Sequence, residues 1–280
     1  MSRVAVVTCA GADDPDNPVL FDALRAADLD AVLVSWDDAS VAWDEFDLVV
    51  VRSTWDYPTR REEFLRWTRA VPNLYNPADV IEYSSDKHYL ADLERRGLRV
   101  IPSHFCDVGS VPQLFDVDFV VKPCVGAGSR HVERYRPGDT ARAREHVAAL
   151  HAEGRDVLVQ PYINSVDTLG ERALIFVDGT YSHAMTKGAL LNVTASERDF
   201  EYRRTQMSLA EGEADAIDYA TEVLSRLGFA DLLYARVDLV ATIHGWLVME
   251  LELVEPSLFL TFQESAARSL AGGIRRRLTR

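Results

Sequence analysis

Short apolar runs alternate with amphipathic stretches through the first third of the chain. Residues 3–8 form a β-branched run that predicts a strand, followed by a loop rich in Gly, Asp and Pro. Leu20, Ala23, Leu24 and Ala27 then recur at helical spacing. Residues 31–36 and 48–52 predict two more strands, and 60–70 an amphipathic helix carrying Phe64, Leu65 and Trp67. Alternation of this kind predicts a parallel sheet with helices on its faces. Ligands of such sheets collect beyond the carboxyl ends of the strands. Arg52-Ser53-Thr54-Trp55-Asp56-Tyr57 stands at one such end and is a candidate substrate edge.

Further along, Ser84 or Ser85 predicts an N-cap for a helix over 86–96, with Gly97 as its stop. Strands are expected over 98–102, 119–123 and 157–160, and a helix over 140–152. The 119–123 strand runs into a small-residue loop, Val125-Gly126-Ala127-Gly128-Ser129-Arg130. From Glu171 the pattern turns mostly to strands: 172–177 and 180–187 flank Asp178-Gly179, a hairpin signal. Residues 190–207 are polar and aperiodic, which predicts a surface loop. A helix over 210–227, a hairpin of 232–242 and 246–254 through His244-Gly245, and a final helix over 263–278 complete the chain. The expected organisation is an α/β unit over 1–80 and two α+β units over 81–163 and 164–280.

Composition narrows the function. A net charge of -14 argues against a general nucleic-acid binder, which needs surplus Lys and Arg to meet phosphate. The Arg275-Arg276-Arg277 run reads as a solvated helix end. No apolar run approaches the roughly 20 residues that span a bilayer, and no secretory signal opens the chain, so a cytoplasmic protein without membrane partners is expected. Cys9, Cys106 and Cys124 lie far apart with no zinc spacing and read as small, half-buried apolar residues.

Chemistry concentrates in a few places. Lys122 ends a strand just before the glycine loop, whose backbone N–H groups can approach phosphate closely; an ordinary turn has the same sequence features. Neither GxxxxGK[ST] nor an early GxGxxG is present. Period-two alternation puts Arg236 and Asp238 on one strand face and Glu250 and Glu252 on one face of the next strand. Pairing those strands brings three carboxylates together, an arrangement that repels itself unless a cation such as Mg²⁺ intervenes. Read alone, Glu250-x-Glu252 is a solvated strand face sooner than a metal site, and Arg236-x-Asp238 on the neighbouring strand reverses that order.

Taken in order, Lys87, Lys122 with its loop, Gln160-Pro161-Tyr162-Ile163, Glu171, Arg236-x-Asp238 and Glu250-x-Glu252 resemble the ATP-grasp superfamily of carboxylate ligases. The resemblance covers nearly the whole chain and implies two ATP-grasp subdomains behind an amino-terminal parallel sheet. It implies ATP and Mg²⁺, or Mn²⁺, as cofactors and a small-molecule carboxylate as substrate. By the same resemblance, Lys87 and Lys122 hold the nucleotide phosphates and Gly126, Ala127, Gly128, Ser129 and Arg130 form a lid. Gln160–Ile163 recognises adenine, and Asp167 or Glu171 the ribose. Arg236 steadies the transferring phosphoryl group, with Lys187 as a further phosphate contact. Asp238, Glu250 and Glu252 ligate metal, although the family commonly has Glu-x-Asn where this chain has Glu-x-Glu. Glu255 is a further ligand, a substrate contact or a polar strand end, and neighbouring Ser257 is grouped with it. Arg52, Ser53, Trp55 and Tyr57 are substrate candidates, with core packing the other reading of Trp55 and Tyr57. His183 is either a general base or a packed histidine. The stretches Arg52–Tyr57, Tyr234–Asp238 and Glu252–Leu258 are similar to a subgroup that includes the O-ureido-serine cyclo-ligase of cycloserine biosynthesis. Ring closure is then one outcome, with ligation of two molecules, a small-molecule kinase or a non-catalytic nucleotide-binding module as the others. The oligomeric state stays open, a homodimer among the options.

Overall fold

The computed structural model describes residues 1–191 and 205–279. The first sheet contains β1 (Ser2–Thr8), β2 (Leu29–Ser35), β3 (Leu48–Ser53) and β4 (Leu74–Tyr75) in the order β2-β1-β3-β4. All its pairings are parallel, as the βαβ alternation requires. The central strands β1 and β3 are apolar almost throughout because both faces are covered. Helix α1 (Asn17–Ala26) covers one face with Leu20, Ala23 and Leu24, and α2 (Arg61–Ala70) buries Phe64 and Leu65.

Helix α3 (Ala78–Ser84) was not apparent from the sequence, and it corrects the capping expectation. Ser84 and Ser85 close α3 instead of opening the next helix, α4 (Tyr89–Arg95). The Ser84 hydroxyl is drawn away to another strand, donating to the Leu251 carbonyl and accepting the Leu253 N–H, each at 3.0 Å. His88 stands at the N-cap of α4 without a side-chain cap, and the Asp86 carboxylate accepts its N–H at 3.1 Å. Lys87 therefore lies in the turn before α4.

The second sheet is antiparallel and contains β5 (His104–Cys106), β6 (Phe119–Pro123), β7 (Glu133–Tyr135) and β8 (Val157–Pro161), in the order β5-β8-β6-β7, with α5 (Thr140–Ala152) packed on it. The expected strand at 98–102 reduces to an isolated bridge between Val100 and Val248. Pro102 lacks a donor for a ladder, and pairing resumes only at β5.

After the short α6 (Val166–Leu169) comes the third sheet: β9 (Glu171–Val177), β10 (Thr180–Lys187), β11 (Met207–Ala210), β12 (Tyr234–Thr242) and β13 (Gly245–Glu252), antiparallel in the order β11-β10-β9-β12-β13. Asp178 and Gly179 both have positive φ, 51° and 73°, which suits the tight β9–β10 hairpin. Residues 192–204 of the expected 190–207 loop lie outside the described residues, and its carboxyl end is the edge strand β11. Helices α7 (Ala214–Arg226) and α8 (Glu264–Arg277) cover opposite faces of this sheet. The end of α8 is not wholly solvated as expected: Arg277 turns inward to Asp178 at 2.5 Å and Asp231 at 2.6 Å. The three cysteines are free and buried.

Hydrogen bonds tie the first sheet to the third. The Asn76 amide donates to the carbonyls of Tyr234 and Leu253 at 3.0 and 2.8 Å, and its oxygen accepts the Leu233 N–H at 2.8 Å. The Tyr234 hydroxyl lies 2.8 Å from the carbonyls of both Val51 and Val254.

Candidate active site

The β12–β13 register pairs Arg236 with Glu252 and Asp238 with Glu250, so the expected face forms. Carboxylate oxygens of Asp238, Glu250 and Glu252 lie within 4.8 Å of one another. Asp238 is fully buried. Arg236 reaches it through Nε at 2.9 Å and a terminal nitrogen at 3.0 Å, and Lys187 at 2.7 Å. Arg236 also bonds Glu252 and donates to the Ser257 carbonyl at 3.2 Å. Lys187, at the end of β10, bridges Asp238 and Glu171, the latter at 2.8 Å.

Two lysines approach from the second sheet and the α4 turn. Lys122 Nζ stands 3.4 Å and Lys87 Nζ 3.8 Å from Glu250 Oε1. Lys87 also donates to the Gly126 carbonyl at 3.1 Å, which anchors the glycine loop beside the carboxylates. Gly128 and Ser129 both have positive φ, giving the loop its tight course. At its end Arg130 donates to the Trp55 carbonyl at 3.1 Å, linking the loop to the edge of the first sheet.

The charges are unequal in their environments. Burial disfavours ionisation of Glu250, but Lys122 and Lys87 prevail and hold its carboxyl at about 2. Asp238 is likewise buried and held below the ordinary carboxylate range by Arg236 and Lys187. For Glu252 burial wins over Arg236, with Asp238 and Glu250 adding repulsion, and its carboxyl rises to about 7. Burial, reinforced by Glu252, pushes Glu255 to about 8. Burial lowers the Lys122 ammonium, with Glu250 opposing. One site thus contains two firmly ionised carboxylates and two that resist ionisation.

These groups border a cleft of about 410 Å³. Its walls include the whole Gly126–Arg130 loop, the Gln160–Ile163 segment, Lys87, Lys122, Lys187, Glu171 and Arg236, together with Glu250, Glu252, Glu255 and Ser257. Trp55 and Tyr57 also reach it, and Tyr57 stacks on Phe64 at 5.1 Å behind. Gln160 is fixed by its amide donating to Ser103 at 2.9 Å.

Several candidates lie elsewhere. Arg52 is buried off the cleft lining, donating to the Pro256 carbonyl at 3.1 Å, so it braces the segment after β13. Ser53 is buried and bonds Thr8 at 3.1 Å, holding β3 to β1. Asp167 is engaged by the Tyr162 hydroxyl at 2.5 Å and by Arg134 at 3.2 Å, so that of this pair Glu171 alone lines the cleft. His183 is buried beside Leu258 and does not line the cleft. The chain after β13 folds back over that part of β10, and burial lowers the imidazole below its ordinary range. Asp238 itself sits behind Arg236 and Lys187, not on the cleft surface.

Residues 4–76 match the family model described as the N-terminal domain of D-cycloserine synthetase DcsG. The cycloserine biosynthesis protein DcsG of Streptomyces lavendulae is 37% identical over 282 aligned positions, covering 95% of this chain and 94% of that protein. The chain belongs to the DcsG family of ATP-grasp ligases. A crystal structure of D-cycloserine synthetase DcsG superposes with a TM-score of 0.89 at 35% identity, covering 99% of this chain and 100% of that one. The RimK domain ATP-grasp protein of Sphaerobacter thermophilus shares the fold at a TM-score of 0.69 and 17% identity, covering 98% and 100% of the two chains.

In this DcsG-family ligase the apolar side of the cleft was not apparent from the sequence. Ile101, Val120, Leu191 and Met249 gather there beside Ile163. Met249 is the instructive member. Strict alternation puts it on the face of Leu251, away from Glu250, but the register shifts between Asp238 and Leu239. A bulge of that kind inverts the alternation beyond it. Val248 therefore packs with Leu251 in the core while Met249 turns to the cleft. Asp14, on the loop after β1, also reaches the cleft; burial raises its carboxyl, with Arg52 opposing.

Proposed function

We propose that the chain is an ATP- and Mg²⁺-dependent ligase that converts a substrate carboxylate to an acyl phosphate and closes a ring by attack of an internal nitrogen. O-ureido-serine is the candidate substrate. The observation that carries this reading is the convergence of the Lys87–Lys122 pair and the glycine loop with Arg236 and the carboxylates around one cleft.

The donor set fits a hard divalent ion, because oxygens of Asp238, Glu250 and Glu252 lie within 4.8 Å of one another. Glu250 and Glu252 would present it to the cleft, with Asp238 behind them. Bound there, Mg²⁺ or Mn²⁺ would offset phosphate charge during transfer. Lys122 and Lys87 orient the β- and γ-phosphates, and Gly126–Arg130 covers them. A carboxylate oxygen attacks the γ-phosphorus and ADP leaves. The ring-forming nitrogen then attacks the acyl carbon; inorganic phosphate leaves and the nitrogen gives up its proton. Arg236 is placed to stabilise the oxyanion of that second step, which rewards donors fixed in advance. The apolar side near Met249 and Gln160–Ile163 suits adenine. Water must be kept from the acyl phosphate, which is the work of the glycine loop and its Arg130 tether. The name of the relative, D-cycloserine synthetase, supports ring closure over joining of two molecules.

Single-turnover reactions with O-ureido-serine, ATP and Mg²⁺ test the reading. ADP, phosphate and a cyclic product are expected without any second amine, and hydroxylamine should divert the intermediate to a hydroxamate. ADP formation that needs an added amine would replace cyclisation by intermolecular ligation. Absence of hydroxamate during ATP turnover would rule out the acyl phosphate.

A further inference from the structure

Glu255 is an ionisable group for which the scheme above has no task. It lies three residues beyond β13, is 8% exposed, and borders the cleft. Apart from its own backbone N–H, no hydrogen-bond donor or ion-pair partner among the described residues reaches its carboxyl. Arg52 holds the Pro256 carbonyl and Arg236 the Ser257 carbonyl, so the segment is fixed from two sides and Glu255 is kept facing inward. A buried carboxyl without a partner is unfavourable, and it is retained where a ligand completes the pair. The missing partner is a cation. Glu255 stands outside the carboxylate group whose oxygens converge within 4.8 Å, which points away from a metal ion. Tyr57 lies near enough for Glu255 to act on it electrostatically, Trp55 lines the same cleft, and an aromatic neighbour favours an organic ammonium.

We propose that Glu255, with Tyr57 beside it, receives the protonated amine of the substrate and selects ammonium-bearing acids over their deamino analogues. The inference rests on the reading that this cleft phosphorylates a carboxylate. It adds a specificity residue: one end of the substrate faces Arg236 and the phosphates, the other Glu255.

The test compares O-ureido-serine with the analogue in which hydrogen replaces its amino group, using wild type and Glu255→Gln. The ratio of kcat/KM between the two acids is read from ADP release. Wild type should favour the amine-bearing acid by on the order of 10²-fold, and the variant should reduce that preference to a few-fold. An undiminished preference in the variant overturns the proposal. So does an increased Mg²⁺ requirement with the preference intact, since Glu255 would then serve the metal. If wild type turns over neither acid, the ligase reading fails separately. Calorimetric binding of both acids to the ADP–Mg²⁺ form then decides the inference: amine-dependent binding lost in Glu255→Gln supports it, and equal binding of the two acids refutes it.

Discussion

Replacing Glu255 by Gln should make the ligand-free protein more stable, and the gain should depend on pH. The carboxyl titrates at about 8 in the folded chain against 4.5 for an ordinary glutamate. The raised value sets the sign: the unfolded chain releases this proton first, so between the two values it binds fewer protons, and stability falls as pH rises. Glutamine has no proton to release. At pH 7 the wild type has passed through about 2.5 pH units of that window, a penalty of about 3 kcal/mol at 1.36 kcal/mol per unit. Unfolding entropy for a chain of this length is about 0.6 kcal/mol/K, so Glu255→Gln should melt about 5 °C higher at pH 7. The gain should shrink to about 1 °C at pH 5, where only about half a pH unit of the window above 4.5 has been crossed, and level off above pH 8. Scanning calorimetry of the two proteins from pH 5 to 8.5 measures it. A gain of equal size at every pH, or a lower melting temperature at pH 7, would refute the reasoning.

Other substitutions probe the rest of the site. Lys122→Met removes the nearest cation from Glu250 and a phosphate contact, and should lower kcat/KM for ATP by about 10²-fold, measured by steady-state ADP release. Asp238→Asn leaves the buried Arg236 and Lys187 without their shared anion and should cost about 3–5 kcal/mol in denaturant unfolding. Gly170→Ala would set a Cβ 2.7 Å from the Lys187 carbonyl oxygen at a residue whose φ is 69°, destabilising the fold by about 1–3 kcal/mol and raising the KM for ATP as Lys187 shifts. Arg130→Ala cuts the link to Trp55, so more ATP should be hydrolysed per product formed, read as the ratio of ADP to cyclic product.

What could be read from the sequence follows from how local each signal is. Period-two alternation placed Arg236, Asp238, Glu250 and Glu252 on one face because β12 and β13 are regular up to Asp238. The same rule fails for Met249, where a bulge intervenes, and nothing in Val248-Met249-Glu250 announces it. The helix signal over 140–152 needed only its own buried Ala143, Val147 and Leu150. Ser84 failed as a cap because its hydroxyl serves β13, more than 160 residues away in the chain. Arg52 and His183 were misplaced for a related reason. Both positions depend on where the stretch after Glu252 folds back, and that course is set by contacts among distant segments. Their charge drew attention, and the topology assigned them to bracing and packing.

The Asn76 and Tyr234 hydrogen bonds have a mechanical consequence. They stitch the parallel sheet to β12 and the tail of β13 at several points, so sliding one past the other would rupture buried backbone contacts on both sides of the seam. The first sheet and the strands carrying the carboxylates therefore behave as a single anvil.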